Sequence, residues 1–431
     1  MVLYHPLKFI LQFTFRFWFR KRYAINNNLP KDTGIMLIAN HGSAFLDPVL
    51  LATFRPEKFY FLARGDVFRK QPQRWMFEQM NQTPIYRPRD MTAEERKQMT
   101  VEEMNQPTFD KMYDCLSNKE LILIFPEGDC IQEKRLRRLK KGAARMIFGA
   151  YQKHQVKNMC FVPVGLNYTN PLQLRKDVYM KFGEPVSVEP YIELFKKDAV
   201  GAILKLTKDM QQALEDCLVI IKHKETEDVC ELAFDLMRKK ENVWPWYSEK
   251  DTNFKIEKQV AARINDWYEN DSDKYNEFRH KILMANRIAK KMKLKLSWLS
   301  YDRINLLDLF SLLFLPLFFL GAIIIYPIWQ VIKMLTNKIV REKEFYPSIL
   351  IGLCSVVFPI YSAIIALFIG GIFEWKAGLI TFFALPLLGY FTVAILEPYK
   401  KVLANFLIWS NTRRNYLRKK VGEIKDDLIN I

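Results

Sequence analysis

The sequence predicts an α/β fold in which helices flank a mostly parallel sheet, followed by a helical connector and C-terminal transmembrane helices. Short apolar runs alternate with longer helical patterns between residues 33 and 220, which is typical of parallel sheets covered by helices. Residues 222–303 are charged and mostly helical, whereas residues 304–396 are very apolar. These changes in composition divide the chain into an α/β, a connecting and a membrane part.

The alternating region supplies the individual elements of the expected sheet. The predicted strands are 35–39, 58–63, 120–125, 158–166 and 177–182, and the predicted helices are 48–55, 71–80, 92–117, 140–154 and 197–221. Functional groups collect at the carboxyl ends of parallel strands. His41, Arg64 and Glu127 each follow a predicted strand, so we expect a site at that edge.

The turn after the first predicted strand carries a histidine and an aspartate, in the stretch Asn40-His41-Gly42-Ser43-Ala44-Phe45-Leu46-Asp47-Pro48. Asp47 suits a helix N-cap and Pro48 the first helical position, so the aspartate returns toward His41. A carboxylate that orients a histidine and stabilises its imidazolium makes it a general base. The alternative is a loop histidine beside an aspartate that only caps the helix.

Four further blocks follow in order: Pro84 to Asp90, Ile124 to Asp129, Leu139 to Arg145 and Val162 to Tyr168. Together with the His–Asp turn they resemble the glycerolipid acyltransferase superfamily, which includes lysophosphatidate and glycerol-3-phosphate acyltransferases, over roughly residues 33–190. The usual His–Asp spacing in that family is four residues. Here it is five, Gly42 to Leu46, which looks like the fungal glycerol-3-phosphate/dihydroxyacetone-phosphate branch.

The resemblance implies roles for particular residues. His41 is the expected base and Asp47 its orienting partner, while Arg64, Arg87, Glu127 and Gly128 match blocks that bind the acceptor's phosphate. After Pro-Glu-Gly, relatives commonly have Thr-Arg or Gly-Ser, but this chain has Asp129 and Cys130. The cations that could substitute are Lys134, Arg135, Arg137, Arg138, Lys140 and Lys141. Cys130 is not expected to be a nucleophile, because the substrate hydroxyl attacks directly.

The expected activity is therefore membrane-bound O-acyl transfer in glycerophospholipid synthesis, onto glycerol 3-phosphate or 1-acyl-glycerol 3-phosphate. The donor is a thioester, acyl-CoA or acyl carrier protein, and no metal or other cofactor is expected. Two alternatives stay open: a thioester hydrolase on the same fold, and a non-enzymatic membrane-anchored lipid-binding module. The six cysteines have no paired spacing, which indicates free thiols in a reducing compartment.

The formal net charge of +18 requires an anionic partner. No nucleic acid is expected, because no RNP, zinc-finger or basic-zipper pattern occurs and the basic residues border membrane segments. Membrane lipids and phosphorylated substrates are the expected partners. Residues 1–30, aromatic and basic but too short to span a bilayer, are predicted to be an interfacial amphipathic segment with Arg20, Lys21 and Arg22 on anionic lipid.

The remaining boundaries follow from composition. We predict an acyltransferase domain at 31–221, a charged helical connector at 222–303, a transmembrane region at 304–399 with spans at 304–332, 346–371 and 377–396, and a basic tail at 400–431. The catalytic domain should lie on the cytoplasmic face. Three full crossings would then place the basic tail on the opposite side, against the positive-inside rule. One re-entrant segment would resolve this, but the sequence does not say which. A chain ending near Ser300 is expected to keep acyl transfer.

Overall fold

A computed structural model describes residues 4–239, 247–300, 309–409 and 414–429. The chain forms two compact units. The first contains Met1–Leu218 together with the short segments Trp246–Glu249 and Glu342–Ser348, and the second contains Val219–Pro245, Lys250–Arg341 and Ile349–Ile431. A short segment between two apolar helices thus belongs to the same unit as the sheet.

The first unit is built on a sheet of nine described strands. These are β1 Phe19–Ile25, β2 Gly34–Ala39, β3 Phe59–Arg64, β4 Gln82–Ile85, β5 Leu121–Ile124, β6 Met159–Tyr168, β7 Lys176–Phe182, β8 Val186–Ser187 and β9 Tyr247–Ser248. The strand order is β4-β3-β5-β2-β6-β7-β1-β9, with β8 beside β6. Strands β4, β3, β5, β2 and β6 are mutually parallel, and β7 and β8 run antiparallel to β6. The predicted fold class is confirmed.

Eight helices of the described chain accompany this sheet. They are α1 Tyr4–Trp18, α2 Leu46–Phe54, α3 Gln71–Gln79, α4 Ala93–Gln98, α5 Val101–Ser117, α6 Gly142–His154, α7 Glu189–Lys197 and α8 Ala199–Asp216. The predicted helix 92–117 is divided into α4 and α5, because Met99 has an extended backbone and ends the first helix. Thr92 and Thr100 each cap one of them and pair with a glutamate three residues later, so both helices begin with a capping box.

The burial of the central strands explains why each of them appears in the sequence as an apolar run. Every residue of β2, β5 and β6 is buried, as expected for strands that helices cover on both faces. Because β2 to β6 are parallel, their carboxyl ends lie on one edge of the sheet. That edge carries His41, Arg64, Arg87 and Glu127, each at or just after a strand end.

The predicted interfacial segment is only partly helical, and the lipid role predicted for its basic run is wrong. Helix α1 ends at Trp18 and β1 then pairs with β7 in parallel. Lys21 is buried, and Arg20 Nε donates to Asp177 Oδ1 over 2.8 Å. Burial, and secondarily the charge of Arg16, lowers the pKa of Arg22 to about 10. These three side chains therefore belong to the sheet. The strand was missed because its partner lies more than 150 residues away.

The second unit is helical in its described part. Its helices are α9 Glu227–Met237, α10 Thr252–Asn270, α11 Ser272–Lys291, α12 Leu315–Ile339, α13 Tyr346–Ile372, which starts in the first unit, α14 Trp375–Trp409 and α15 Arg414–Ile429. Among the described residues, three stretches are long and apolar enough to cross a membrane: Ser311–Ile339, Lys343–Ile372 and Trp375–Phe406. Their exposed leucines, isoleucines and phenylalanines suit contact with lipid.

The C-terminal tail is a packed helix. Helix α15 lies against α11, and it buries one face through Leu417, Val421, Ile424 and Leu428. Lys281 pairs with Asp427 over 3.1 Å, and Arg263 donates to the carbonyl oxygen of Leu428. A helix that follows all three apolar stretches is therefore joined to a helix that precedes them.

Candidate active site

His41 and Asp47 are in direct contact. The Nδ1 atom of His41 lies 2.9 Å from Oδ2 of Asp47, whose side chain is fully buried. The imidazole is 20% exposed and stacks on Phe125, with 4.2 Å between ring centroids. Within the described residues Nε2 of His41 has no hydrogen-bond partner. A carboxylate at Nδ1 keeps the proton there and leaves Nε2 as the proton acceptor.

The buried carboxylate of Asp47 receives three further hydrogen bonds. Its Oδ2 accepts the backbone N–H groups of Gly42 at 2.9 Å and Ser43 at 2.8 Å, and its Oδ1 accepts the hydroxyl of Tyr168 at 2.7 Å. A buried charge is tolerated only when such donors replace water. Asp47 therefore organises the turn as well as the imidazole.

The five-residue spacing is absorbed by the turn in a way that the sequence did not show. Helix α2 starts at Leu46 with Phe45 at its N-cap, so Asp47 lies inside the first turn and does not cap it. The left-handed residue of the turn is Ala44, with φ of 35°. A non-glycine residue there is strained and persists only where surrounding contacts hold it.

Tyr168 is a functional residue that sequence reasoning missed. It ends β6, within the Val162–Tyr168 block for which no catalytic role was predicted. Burial, and then the adjacent Asp47 charge, raises the pKa of Tyr168 well above its usual value. The phenol stays protonated and remains a donor to Asp47.

Glu127 occupies the site in a different role from the predicted one. Its Oε1 accepts the His41 backbone N–H over 2.8 Å, and its Oε2 accepts Arg137 Nε over 2.9 Å. Burial raises the pKa of Glu127, although the bond from His41 and the Arg137 charge oppose this shift. A buried carboxylate whose two oxygens both accept hydrogen bonds from the protein is not a phosphate ligand. Instead, Glu127 links the segment after β2 to the segment after β5.

Beyond Glu127 lies a cluster of cations around the Asp129 carboxylate. Arg87 Nη1 donates to Asp129 Oδ1 at 3.0 Å, Arg89 contacts the same oxygen, and Lys140 Nζ lies 3.3 Å from Oδ2. Arg87 also binds Asp90 through two nitrogens. We call Arg87, Arg89 and Lys140 the cation cluster. Among the cations that were predicted to substitute after Pro-Glu-Gly, Lys140 is the one it contains.

The two other residues of the predicted phosphate site frame this cluster. Gly128 has φ of +73°, its carbonyl accepts Arg87 Nη1 at 3.2 Å, and an added Cβ would collide with the side chain of Lys140. Only glycine suits that position. Arg64 pairs with Asp66 over 2.7 Å and is half exposed. Partial burial disfavours the Asp90 carboxylate, but hydrogen bonds from Arg87 and the Arg87 and Arg64 charges keep its pKa below the usual value.

Cys130 supports the turn and is not built as a nucleophile. Its Sγ accepts the backbone N–H of Ala44 over 3.0 Å. Burial, and then the charge of Asp47, raises the pKa of the Cys130 thiol far above its usual range. Because the thiolate is the reactive form, this thiol stays inert. Across the described part of the chain, no group of three or more His, Cys, Asp or Glu side chains could hold a metal ion.

Comparisons with known proteins find similarity to acyltransferases. Residues 21–167 match the sequence model of a family described as Acyltransferase. Two relatives from Saccharomyces cerevisiae are glycerol-3-phosphate O-acyltransferase 2, 32% identical over 108 residues, and glycerol-3-phosphate O-acyltransferase 1, 31% identical over 118 residues. Each match covers 25% of this chain but only 14% and 15% of the yeast proteins, respectively. The aligned segments thus span about a seventh of those relatives.

A solved structure with some similarity is the 1-acyl-sn-glycerophosphate acyltransferase from Thermotoga maritima, with 19% identity and a TM-score of 0.32. That similarity covers 48% of this chain and 79% of the bacterial one. The family match includes His41, Asp47 and Glu127, and it ends one residue before Tyr168. What the comparisons support is that residues 21–167 of this chain match the acyltransferase family model.

Proposed function

We propose that this protein is a membrane-bound O-acyltransferase that moves a fatty acyl group from a thioester to the hydroxyl of glycerol 3-phosphate or 1-acyl-glycerol 3-phosphate. The observation that carries the proposal is the pairing of His41 with buried Asp47, which leaves Nε2 without a partner in the described residues, at the edge of the sheet that also carries the cation cluster. Such a pair suits the activation of an alcohol, and the cations suit a phosphorylated acceptor.

The proposed reaction needs no covalent enzyme intermediate. Nε2 of His41 takes the proton of the acceptor hydroxyl while the alcohol oxygen attacks the thioester carbonyl. The resulting tetrahedral intermediate collapses, its carbon–sulfur bond breaks, and the departing thiolate receives the proton from the imidazolium. Asp47 stabilises that imidazolium, and Tyr168 stabilises Asp47. Acyl-CoA and acyl-loaded carrier protein both supply the thioester that this sequence of steps requires.

The cation cluster is the proposed place for the acceptor's phosphate. Three cations converge on the single Asp129 carboxylate, and the side chains of Arg89 and Lys140 are 63% and 57% exposed. These two can turn to a ligand, whereas Arg87 is held by Asp90. Guanidinium groups bind phosphate through parallel hydrogen bonds. Arg64, at the end of β3, lies near Asp90 and adds positive charge to the same edge.

The same cluster favours acyl transfer over thioester hydrolysis, since water needs no cationic site. The deciding assay gives purified protein both acceptors in turn, with acyl-CoA and then acyl carrier protein as donor. Thioester consumption is followed with and without acceptor. Acyltransferase activity appears as consumption that depends on the phosphorylated acceptor, and hydrolysis as consumption without one.

Removal of the base should abolish most turnover. We expect His41→Ala to lower kcat by ~10²–10⁴ or more, because a positioned acid–base group contributes about this much. Asp47→Asn should also be severe, since the two residues act as a unit. Initial rates and circular dichroism of each purified variant check this. Full turnover in a folded His41→Ala protein contradicts the proposed function.

Loss of a cation from the cluster should weaken binding of the acceptor. We expect Lys140→Ala or Arg89→Ala to raise KM for glycerol 3-phosphate by about tenfold with little change in kcat, as one charge-assisted hydrogen bond is lost. Arg74→Ala is the matched control, because Arg74 is exposed and pairs with Glu78 on its own helix. An unchanged KM in both cluster variants would rule out this phosphate site.

We also propose that the chain crosses the membrane twice, so that one of the three apolar segments does not cross. That segment is α12. No candidate span precedes α12 in the described residues. The residues after it, Glu342–Ser348, pack in the first unit against the His41 turn. We infer that both ends of α12 lie on the catalytic side of the membrane and that α12 does not cross it.

Helices α13 and α14 then form the crossing pair. Gly378 lies so close to Ala366 and Gly370 that an added Cβ would approach within 2.6 Å of the Ala366 carbonyl oxygen, which shows tight packing near the turn. Helix α15, beyond α14, packs on α11, which precedes every apolar segment. An even number of crossings returns the basic tail to the catalytic side and satisfies the positive-inside rule.

Cysteine labelling tests this topology. Single cysteines at Lys224, Arg341 and Arg418 should all react with a membrane-impermeant maleimide from the same side of sealed vesicles. A cysteine at Glu374, in the turn after α13, should react only from the other side. These four positions are exposed. Opposite labelling of Lys224→Cys and Arg418→Cys would show an odd number of crossings.

A further inference from the structure

A serine from the segment between two apolar helices bridges the turn that carries the candidate base. Ser348, in the first turn of α13, accepts the backbone N–H of Leu46 through Oγ over 2.9 Å. Its hydroxyl donates to the carbonyl oxygen of Ser43 over 3.2 Å. The Leu46 N–H also donates directly to the Ser43 carbonyl oxygen over 2.8 Å, which closes the turn around the strained Ala44. The Ser348 hydroxyl bonds both groups of that closing hydrogen bond and so reinforces it.

Neighbours of Ser348 hold the same region. Glu344 Oε1 accepts the backbone N–H of Gln132 over 3.2 Å, and the Phe345 ring meets the Phe45 ring edge-on at 6.1 Å between centroids. Cys130 accepts the N–H of Ala44 from the other side. The turn therefore receives support from two distant parts of the chain.

We propose that Ser348 is a positioning residue for acyl transfer, which acts through the His41–Asp47 turn. The argument rests on the proposed function. Asp47 can accept the N–H groups of Gly42 and Ser43 while bonding His41 only if the turn keeps its shape. A left-handed alanine does not hold that shape alone. Displacements of about 1 Å in a catalytic constellation can lower rates by about 10².

This assignment changes one expectation from the sequence. A chain that ends near Ser300 would lack Glu342–Ser348 and with it the hydroxyl that bridges Ser43 and Leu46. We now expect such a chain to transfer acyl groups poorly even when its sheet is intact. The segment between α12 and α13 is then part of the catalytic unit, and the apolar region does more than attach the protein to a membrane.

The test uses the full chain in detergent micelles with glycerol 3-phosphate and an acyl-CoA. Ser348→Ala should lower kcat about tenfold, the effect of one buried hydrogen bond on the barrier, and leave both KM values unchanged. Ser348→Thr keeps the hydroxyl and should restore most of the rate. Ser355→Ala is the matched control, because Ser355 lies two turns further along α13 and its hydroxyl bonds Ile351 of the same helix.

A second pair of variants tests the same turn from the other side. Cys130→Ala removes the acceptor for Ala44 and should reproduce the loss in kcat, whereas Cys130→Ser retains an acceptor and should keep most of the activity. Melting temperatures of all variants should stay close to that of the parent protein, which separates positioning from folding.

The outcomes discriminate between the two proposals. An inactive His41→Ala protein beside a fully active Ser348→Ala protein overturns only the role of Ser348. A loss confined to KM, a loss equalled by Ser355→Ala, or a loss that threonine does not repair also overturns it. Full turnover in His41→Ala overturns the proposed function itself, and the positioning role with it.

Discussion

The buried carboxylate of Asp47 is the constraint on which the site depends. A charge without water must be surrounded by donors, and Asp47 finds them in the His41 ring, two backbone N–H groups and the Tyr168 hydroxyl. These donors come from the end of β2, the turn after it and the end of β6. One side chain therefore makes the orientation of the base depend on the register of two neighbouring strands.

Charge compensation extends outward from this centre. Glu127 joins the His41 backbone to Arg137, and Asp129 gathers the cation cluster, so each carboxylate near the base is matched by a cation or a donor. The inner carboxylates are buried and committed to structure. Of the outer cations, Arg89 and Lys140 are exposed, whereas Arg87 is held by Asp90. Burial therefore distinguishes the residues that position the base from Arg89 and Lys140, which are proposed to bind the acceptor.

The sequence was sufficient to predict the strands and motifs that depend on local patterns of residues. Strands β2, β3, β5, β6 and β7 left readable apolar runs, whereas the short strand β4 was not predicted. The His–Asp turn and the Pro-Glu-Gly block follow two of the predicted strands. Contacts between distant residues were not readable. Strand β1 pairs with β7, Tyr168 reaches Asp47 across 121 positions, and Ser348 reaches Leu46 across 302. Glu127 was assigned to phosphate because its block suggested a ligand, whereas only the packed geometry shows that its oxygens are occupied.

The tautomer of His41 tests the central claim most directly. The chain has only five histidines, so nitrogen-15 labelling of histidine gives a simple imidazole spectrum, and His41→Gln identifies the signals of His41. With Asp47 at Nδ1, neutral His41 should be protonated at Nδ1 and unprotonated at Nε2. Asp47→Asn should remove that preference. A neutral His41 protonated at Nε2, or one that averages between tautomers in the parent protein, would contradict the account.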